Sequence, residues 1–526
     1  MSEDAARRRG LGRQIARNTV LGWVGRFVSV LGWTLLAPWM LHTLGAERFG
    51  LWSLLSVFSS LALTFDLGLQ GALTKFVAEQ RAGDGSAAGT PEDGVRVLLG
   101  MGLALYLLLG AILLAAAAWL QTPLLDFFKL SGAIRADAGV ALVIAAAATL
   151  ALNLSQYGGA LLGGLQRLDR WSQIAMVGTI VQIAATVVAL RAGGGVPSLL
   201  AVSATVNLAV AIVAAVLAAR IAPGLRPAWT GWSRAHAARL GGFSLALQII
   251  SVGLLLQFQL DKVLFGRWVG LASVAEYELA YRVAFGVWTV PALLLPPLLP
   301  AVAHLHAAGD RDGVIALLRR ATRYVLAVAL PIAAGIVALS PAVFAAWLGP
   351  GHADAARAAA ALGVVLAFTI LTGVASAVVR GIGRPGLEAE YFVIAAAVHV
   401  PLSLLLIPRM GFSGGLLALV ISGAVGPLWF VWRSHRALGL SLAQEWRERF
   451  APPIFASLVA GAAGGALAHF VSGAGETRAV RLAAMLAGGA LLVALSAAIL
   501  VGLRYVTVAE LRALFARRRP ATGGTA

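Results

Sequence analysis

The chain has 526 residues, 60% of them hydrophobic and only 12% charged, with a formal net charge of +18. That composition excludes a soluble globular domain and defines a polytopic membrane protein. The absence of cysteine excludes disulfides, iron–sulfur clusters and thiol catalysis.

In chain order, apolar stretches of membrane-crossing length begin near Asn18, Gly50, Val95, Gly139, Trp171, Pro197, Gly241, Ala272, Thr322, Asp354, Leu387, Gly411, Pro452 and Arg478. At roughly 20 residues per crossing they predict an all-α polytopic membrane protein with about 14 transmembrane helices. Lipid offers the backbone no hydrogen-bond partners, and these continuous runs lack the period-two alternation of barrel strands. The first run, Val20 to Leu41, leads straight into further spans and reads as an uncleaved first helix. In the eighth span Pro291, Pro296, Pro297 and Pro300 crowd the second half, so a bent or broken helix is expected there.

In a soluble protein the positive charge would suggest a nucleic-acid partner. Its distribution says otherwise. Arg7, Arg8, Arg9, Arg13 and Arg17 precede the first span and Arg512, Arg517, Arg518 and Arg519 follow the last. Between them the arginine-rich loops alternate with poorer ones: Arg220, Arg226, Arg234 and Arg239 share a side with Arg311, Arg319, Arg320 and Arg323, and with Arg433, Arg436, Arg447 and Arg449. The positive-inside rule then places both termini in the cytoplasm. Basicity here reports topology, with no nucleic acid involved, and some arginines are suited to anionic membrane lipids.

Landmarks of the first half recur about 220 residues later. The segment from Leu44 to Trp52 is echoed from Val269 to Tyr277, Ala82-Gly83-Asp84 by Ala308-Gly309-Asp310, and Gly164-Leu165-Gln166-Arg167 by Gly381-Ile382-Gly383-Arg384. Two parallel six-helix lobes plus two C-terminal helices follow, with transport at the repeat interface the implied function. The expected organisation is a basic N-terminus over 1–17, an N-lobe over 18–221, a linker over 222–240, a C-lobe over 241–433, C-terminal helices with their preceding loop over 434–503 and a basic tail over 504–526. No loop is long enough for a soluble catalytic domain. No metal-ligand spacing, phosphate loop or nucleotide fingerprint appears, and no cofactor is expected. Gly159 and Gly163 form a small-xxx-small pattern, which is common and unspecific.

An ionisable group inside a span costs a few kcal/mol, so each one calls for an explanation. Arg26 in the first span either snorkels to the headgroups or faces a wet cavity. Asp66, followed by Gly68 and Gly71, either accepts from a neighbouring helix or caps a local break, and Lys75 is near enough to the helix end to snorkel. Glu278 and Arg282, four apart, either neutralise each other or leave Arg282 to meet an anion. Ser244, Gln248, Ser251, Gln259 and Lys262 form one helical stripe in the seventh span, which is either an interhelical hydrogen-bonding face or the wall of a hydrated path. His399 reads as a packed histidine.

These residues resemble a family. The run from Leu44 to Trp52, then Asp66-Leu67-Gly68-Leu69 and Phe76-Val77-Ala78-Glu79, is similar to the amino-terminal pattern of bacterial polysaccharide flippases. Leu260-Asp261-Lys262 with Val263-Leu264-Phe265-Gly266, followed by Tyr277 and Ala280-Tyr281-Arg282, resembles the same family's seventh and eighth spans. The resemblance implies a member of the multidrug/oligosaccharidyl-lipid/polysaccharide exporter superfamily in the cytoplasmic (inner) membrane. Its implied substrate is an undecaprenyl-pyrophosphate-linked oligosaccharide, flipped to the periplasmic leaflet by alternating access for cell-surface polysaccharide such as exopolysaccharide or O-antigen. It also implies cleft cations, for which Arg26, Lys75, Arg282 and Arg380 are the candidates, ion coupling at Asp66 or Asp261, and a polysaccharide polymerase as a candidate partner. A pyrophosphate crossing hydrocarbon needs charge compensation, and arginine matches phosphate geometry.

Two other readings stand beside this one. A cation-coupled multidrug exporter of the same superfamily should carry an acidic residue deep in its lobes and an anionic cavity, whereas the first span here bears Arg26 and no carboxylate. A membrane glycosyltransferase or ligase acting on lipid-linked sugars should carry carboxylates on a sizeable loop, whereas Asp126, Asp137 and Asp354 lie in short ones.

Overall fold

The computed structural model describes residues 25–64, 69–81, 92–234, 236, 245–475, 477–507 and 510. The chain is all-helical. Its helices in order are α1 (Gly25–Leu44), α2 (Ala46–Thr64), α3 (Leu69–Arg81), α4 (Glu92–Trp119), α5 (Gln121–Phe127), α6 (Gly132–Gly164), α7 (Leu168–Arg191), α8 (Val196–Ile221) and α9 (Leu245–Trp268). There follow α10 (Leu271–Ala292), α11 (Leu298–Ala307), α12 (Arg311–Trp347), α13 (Ala353–Gly381), α14 (Gly386–Met410), α15 (Phe412–Leu438), α16 (Leu442–Ser472, with a π-turn at Trp446–Phe450) and α17 (Arg478–Gly502).

Among the described residues 12 helices are long and apolar enough to cross a membrane. The span expected at Ala272 is built from two shorter helices, α10 and α11, and the one expected at Gly50 is described as α2 up to Thr64 and as α3 from Leu69. Between α10 and α11 the cause of the break lies in the proline cluster: beyond Pro291 the helix ends at Ala292 and resumes at Leu298, directly after Pro296 and Pro297. The expected break is there.

Packing divides the chain into two compact units, one comprising residues 1–278 with 407–412, the other 279–406 with 413–526. This differs from a division in the 222–240 linker. The reason is local: α9 packs on α2, so the seventh span joins the first unit, and linker residue Ala228 donates its backbone N–H to the carbonyl of Arg96 at 2.8 Å.

In the first unit α6 is the central helix, packed against α2, α3, α4, α7 and α8. Its glycines make that possible. A Cβ on Gly158 would stand 2.7 Å from Ala214 of α8, one on Gly159 2.8 Å from the Trp171 ring of α7, and one on Gly164 2.5 Å from Val77 of α3. Gly158, Gly159 and Gly164 thus serve three neighbours at once, while Gly163, the other member of the expected pair, has only ordinary contact with Thr74 and Leu168, at 3.4 and 3.5 Å. Arg48, within the first repeated landmark, ties α2 to α6 through Asp137 at 2.8 Å.

In the second unit α12 has the central place, packed against α11, α13, α16 and α17. Its start is capped by Asp310, whose carboxylate accepts from the Gly313 N–H at 2.7 Å. The helices beyond the second repeat dock by near backbone contact: a Cβ on Gly464 of α16 would meet the Gly488 carbonyl of α17 at 2.6 Å.

The duplication is visible in the backbone of each unit taken separately. Gly45 closes α1 with φ 79° and Gly270 closes α9 with φ 124°. Gln166 after α6 and Gly383 after α13 are both left-handed, at φ 56° and 75°. Each of these turns is stapled by the same backbone bonds, Arg167 N–H to Leu162 in one and Arg384 N–H to Val379 in the other. At the same point Gly164 presses on Val77 and Gly381 presses on Val302, the hypothetical Cβ contacts being 2.5 and 2.6 Å.

Candidate functional site

In the second unit an apolar groove of about 1130 Å³ lies between α10, α12 and α17. Val287, Val328, Ile332, Leu492 and Val493 supply walls, and Gly335 and Gly489 leave room between them. One end is polar. There Arg320 and Tyr324 of α12 meet Val506 and Glu510, which follow α17.

That polar end is tightly organised. Beyond Gly502 the chain turns through Arg504, at φ 53°, and returns to α12. Arg323 donates to the Tyr505 carbonyl and to a Glu510 carboxylate oxygen, the latter at 2.8 Å, while the Tyr324 hydroxyl donates to the other oxygen at 2.9 Å. Thr507 adds its N–H at 2.8 Å and its hydroxyl at 2.9 Å to that carboxylate. These donors, the Thr507 N–H first among them, hold the Glu510 carboxyl down at about 2. Burial pushes the neighbouring Tyr505 phenol up, and its hydroxyl donates to the Arg449 carbonyl at 2.7 Å.

One turn earlier on the same face, the buried Glu445 carboxylate accepts from Arg319 of α12 at 2.9 Å and from Arg449 at 2.7 Å. It joins α16 to α12. Replacing Glu445 by Ala is expected to lower the melting temperature of the purified protein, by a stability loss of about 1–2 kcal/mol, because both freed guanidinium groups retain some access to water. An unchanged melting curve would show that helix packing alone docks α16.

In the first unit the sequence-predicted polar residues are sorted differently from expectation. Asp66 and Ser244 lie outside the described residues. Gln248, Ser251 and Gln259 are half-buried along α9, but Lys262, expected to end the same stripe, is 3% exposed. At Lys262 the stripe is an interhelical bonding face. Lys262 Nζ is 2.7 Å from the Glu278 carboxylate, which also accepts from the Ser53 hydroxyl at 3.1 Å, so α9, α10 and α2 meet at one ion pair. Asp261 beside it has no exposed surface, and Gln257 one turn earlier is 1% exposed. Tyr277, also fully buried, sets its ring edge-on to Phe265 at 5.6 Å.

The four candidate cations take unlike environments. Arg26 on α1 and Lys75 on α3 are exposed. Arg282 on α10 is half-buried, with its Nε shut off from solvent. Arg380, at the end of α13, makes a two-point contact with Glu388 of α14, at 2.5 and 2.8 Å. His399 is packed as expected, fully buried with Nδ1 3.1 Å from Ser422 Oγ. A small polar cavity of about 70 Å³ among Trp33, Trp52, Ser56, Gln182, Thr186 and Ser203 completes the first unit and has room for a few waters. Among the described residues no group of three or more His, Asp or Glu is placed to hold a metal ion.

Sequence reasoning did not find the groove or its polar end. One signal was present, because Thr507-Val508-Ala509-Glu510 has the spacing of a capping box, and the Glu510 N–H does bond Thr507 Oγ1 at 3.3 Å.

Solved structures place this architecture. A lipid II flippase, MurJ, in an inward closed conformation superposes with TM-score 0.65 at 15% identity, covering 92% of this chain and 100% of its own. An inward-facing multidrug resistance MATE family transporter superposes with TM-score 0.57 at 16% identity, over 80% of this chain and 94% of its own. A Vibrio cholerae MATE transporter, VcmN, gives TM-score 0.58 at 13% identity over 84% and 99%. The fold is therefore the one these flippase and MATE structures share. The family model for polysaccharide biosynthesis proteins matches residues 16–302, more than half of the chain, and the protein belongs to that family. No curated protein matches the sequence.

Proposed function

We propose that this protein flips an undecaprenyl-pyrophosphate-linked oligosaccharide from the cytoplasmic to the periplasmic leaflet of the inner membrane by alternating access. The observation that carries the reading is the groove. An apolar trough of about 1130 Å³ with arginine at one end suits an amphiphile of long hydrocarbon chain and phosphate head better than a compact drug. Membership of a polysaccharide biosynthesis family supports the glycan part.

In this reading both termini are cytoplasmic, and the sugar-bearing pyrophosphate meets Arg282, with Arg26, Lys75 and Arg380 contributing along its route. Arg380 reaches substrate only by giving up Glu388, so it serves later than the others. Gln248, Ser251 and Gln259 offer hydrogen bonds to sugar hydroxyls. Asp261 is the coupling-ion candidate within the described residues, with Asp66 the other. A polysaccharide polymerase is the partner that would consume the flipped product.

The test is export. Arg282→Ala is expected to reduce surface polysaccharide by at least about tenfold at unchanged protein abundance, since a bidentate guanidinium–phosphate contact has no substitute in hydrocarbon. Export at the wild-type level would remove Arg282 from the route. Dye extrusion without any effect on glycan export would favour a multidrug exporter instead.

A further inference from the structure

We propose that the polar end of the groove is a docking subsite for a lipid-borne phosphate, and that Glu510 is a displaceable latch occupying it. The proposal rests on the flippase reading and adds a regulated first step to it.

The argument starts from donors. Arg323, the Tyr324 hydroxyl and the Thr507 N–H and hydroxyl converge on one carboxylate, all at 2.8–2.9 Å, with Arg320 beside them on the groove. A phosphate presents the same acceptor chemistry with more oxygens and more charge. Charge-assisted contacts to arginine then favour it over a single carboxylate.

Position gives the second step. Tyr324, Val506 and Glu510 themselves line the groove, so a phosphate held by Arg323 and Tyr324 places its attached chain at the opening of the apolar trough. Head and tail are matched to adjacent surfaces. A free phosphate ion would use only the first of them, which commits the site to a phosphorylated long-chain lipid.

The latch is also open to exchange. Arg323 and Glu510 side chains are each 31% exposed, so a competing anion reaches the guanidinium and water replaces its donors as the carboxylate leaves. Tyr505, fixed by Arg323 and Arg449, stays as the hinge point when Glu510 leaves.

The experiment uses the full-length protein in nanodiscs of phosphatidylcholine, titrated with a polyprenyl phosphate, with the unphosphorylated polyprenol and with inorganic pyrophosphate. Glu510→Gln keeps the shape and removes the charge. It is expected to tighten polyprenyl phosphate binding about tenfold, the reciprocal of an open fraction near one tenth. Polyprenol binding should be the same in both proteins. Glu510→Ala, which removes the latch carboxylate altogether and leaves Arg323, Tyr324 and Thr507 in place, should also tighten phosphate-lipid binding about tenfold, and this second variant holds the question open to test if Glu510→Gln is not monodisperse.

Equal or weaker binding of the phosphorylated lipid by the latch variants would overturn the latch while leaving the flippase reading intact. Inorganic pyrophosphate competing as well as the lipid would overturn the lipid requirement. Failure of every protein, wild type included, to bind the phosphorylated lipid would overturn both readings.

Discussion

Replacing Lys262 by Met is expected to destabilise the first unit by about 3–5 kcal/mol, enough to remove most folded protein from the membrane fraction. The Lys262 and Glu278 side chains are only 4% and 8% exposed and stand 2.7 Å apart. Methionine leaves the packing volume nearly unchanged and removes the ammonium, so the buried Glu278 carboxylate loses the charge-assisted contact made at 2.7 Å while it keeps the hydroxyl of Ser53. Losing one partner of a buried ion pair leaves the desolvation cost of the other less offset. The double variant Lys262→Met with Glu278→Gln removes both charges and should recover most of the loss. Thermal unfolding of the three proteins in detergent decides the matter, and a single variant as stable as the wild type would show that the pair is not the site's main constraint. The same pair joins α9 to α2 and to the start of α10 within the first unit.

The second large effect is expected at Gly50. A Cβ there would stand 1.8 Å from the carbonyl oxygen of Leu271 and 2.7 Å from its carbon, and both atoms are backbone. No rotamer change relieves such a clash, so α2 and the start of α10 must separate. Gly50→Ala is expected to cost more than the ~1–3 kcal/mol of ordinary overpacking, because the obstacle cannot repack. The control is Gly45, five residues earlier in the same landmark, where nothing lies within 4 Å and only a φ of +79° opposes a side chain. Gly45→Ala should lose about 1–2 kcal/mol, the ordinary cost of a left-handed L-residue. Expression level and melting temperature of the two variants give the comparison, and equal behaviour would contradict the close approach of the two helices.

That contrast shows how much a repeated motif says before any coordinates exist. Gly45 and Gly270 stand in register in the sequence, and both prove to be left-handed turns between consecutive helices. Gly164 and Gly381 are equally legible as a pair, and each presses on a valine of the preceding short helix within its own unit. The break in the eighth span was legible too, since proline acts through its own ring and missing N–H. What the motif could not state was function at each position. Ser53 and Glu278 occupy matching places in the repeats, yet one is a hydroxyl and the other a carboxylate, and they bond each other.

The candidate site was less legible than the fold. Lys262 fell on a helical stripe with Gln248 and Ser251, but spacing along one helix cannot tell which part of that face another helix covers. Burial on α9 increases toward Lys262 because α2 lies there. The groove escaped notice for a related reason: its walls come from α10 and α12 and, from a distant part of the chain, α17, and each contributes mainly ordinary valine, leucine and isoleucine.

Hydropathy, charge alternation and the doubled landmarks were enough by themselves to determine an all-helical membrane protein of duplicated plan, because those properties are written locally and obey the length and polarity of the bilayer. Which helices share a unit, which ionisable groups are buried against each other and where an apolar trough opens were decided only in three dimensions. They depend on contacts between segments far apart in the chain, where a single methyl group or a carbonyl oxygen sets how near two helices come.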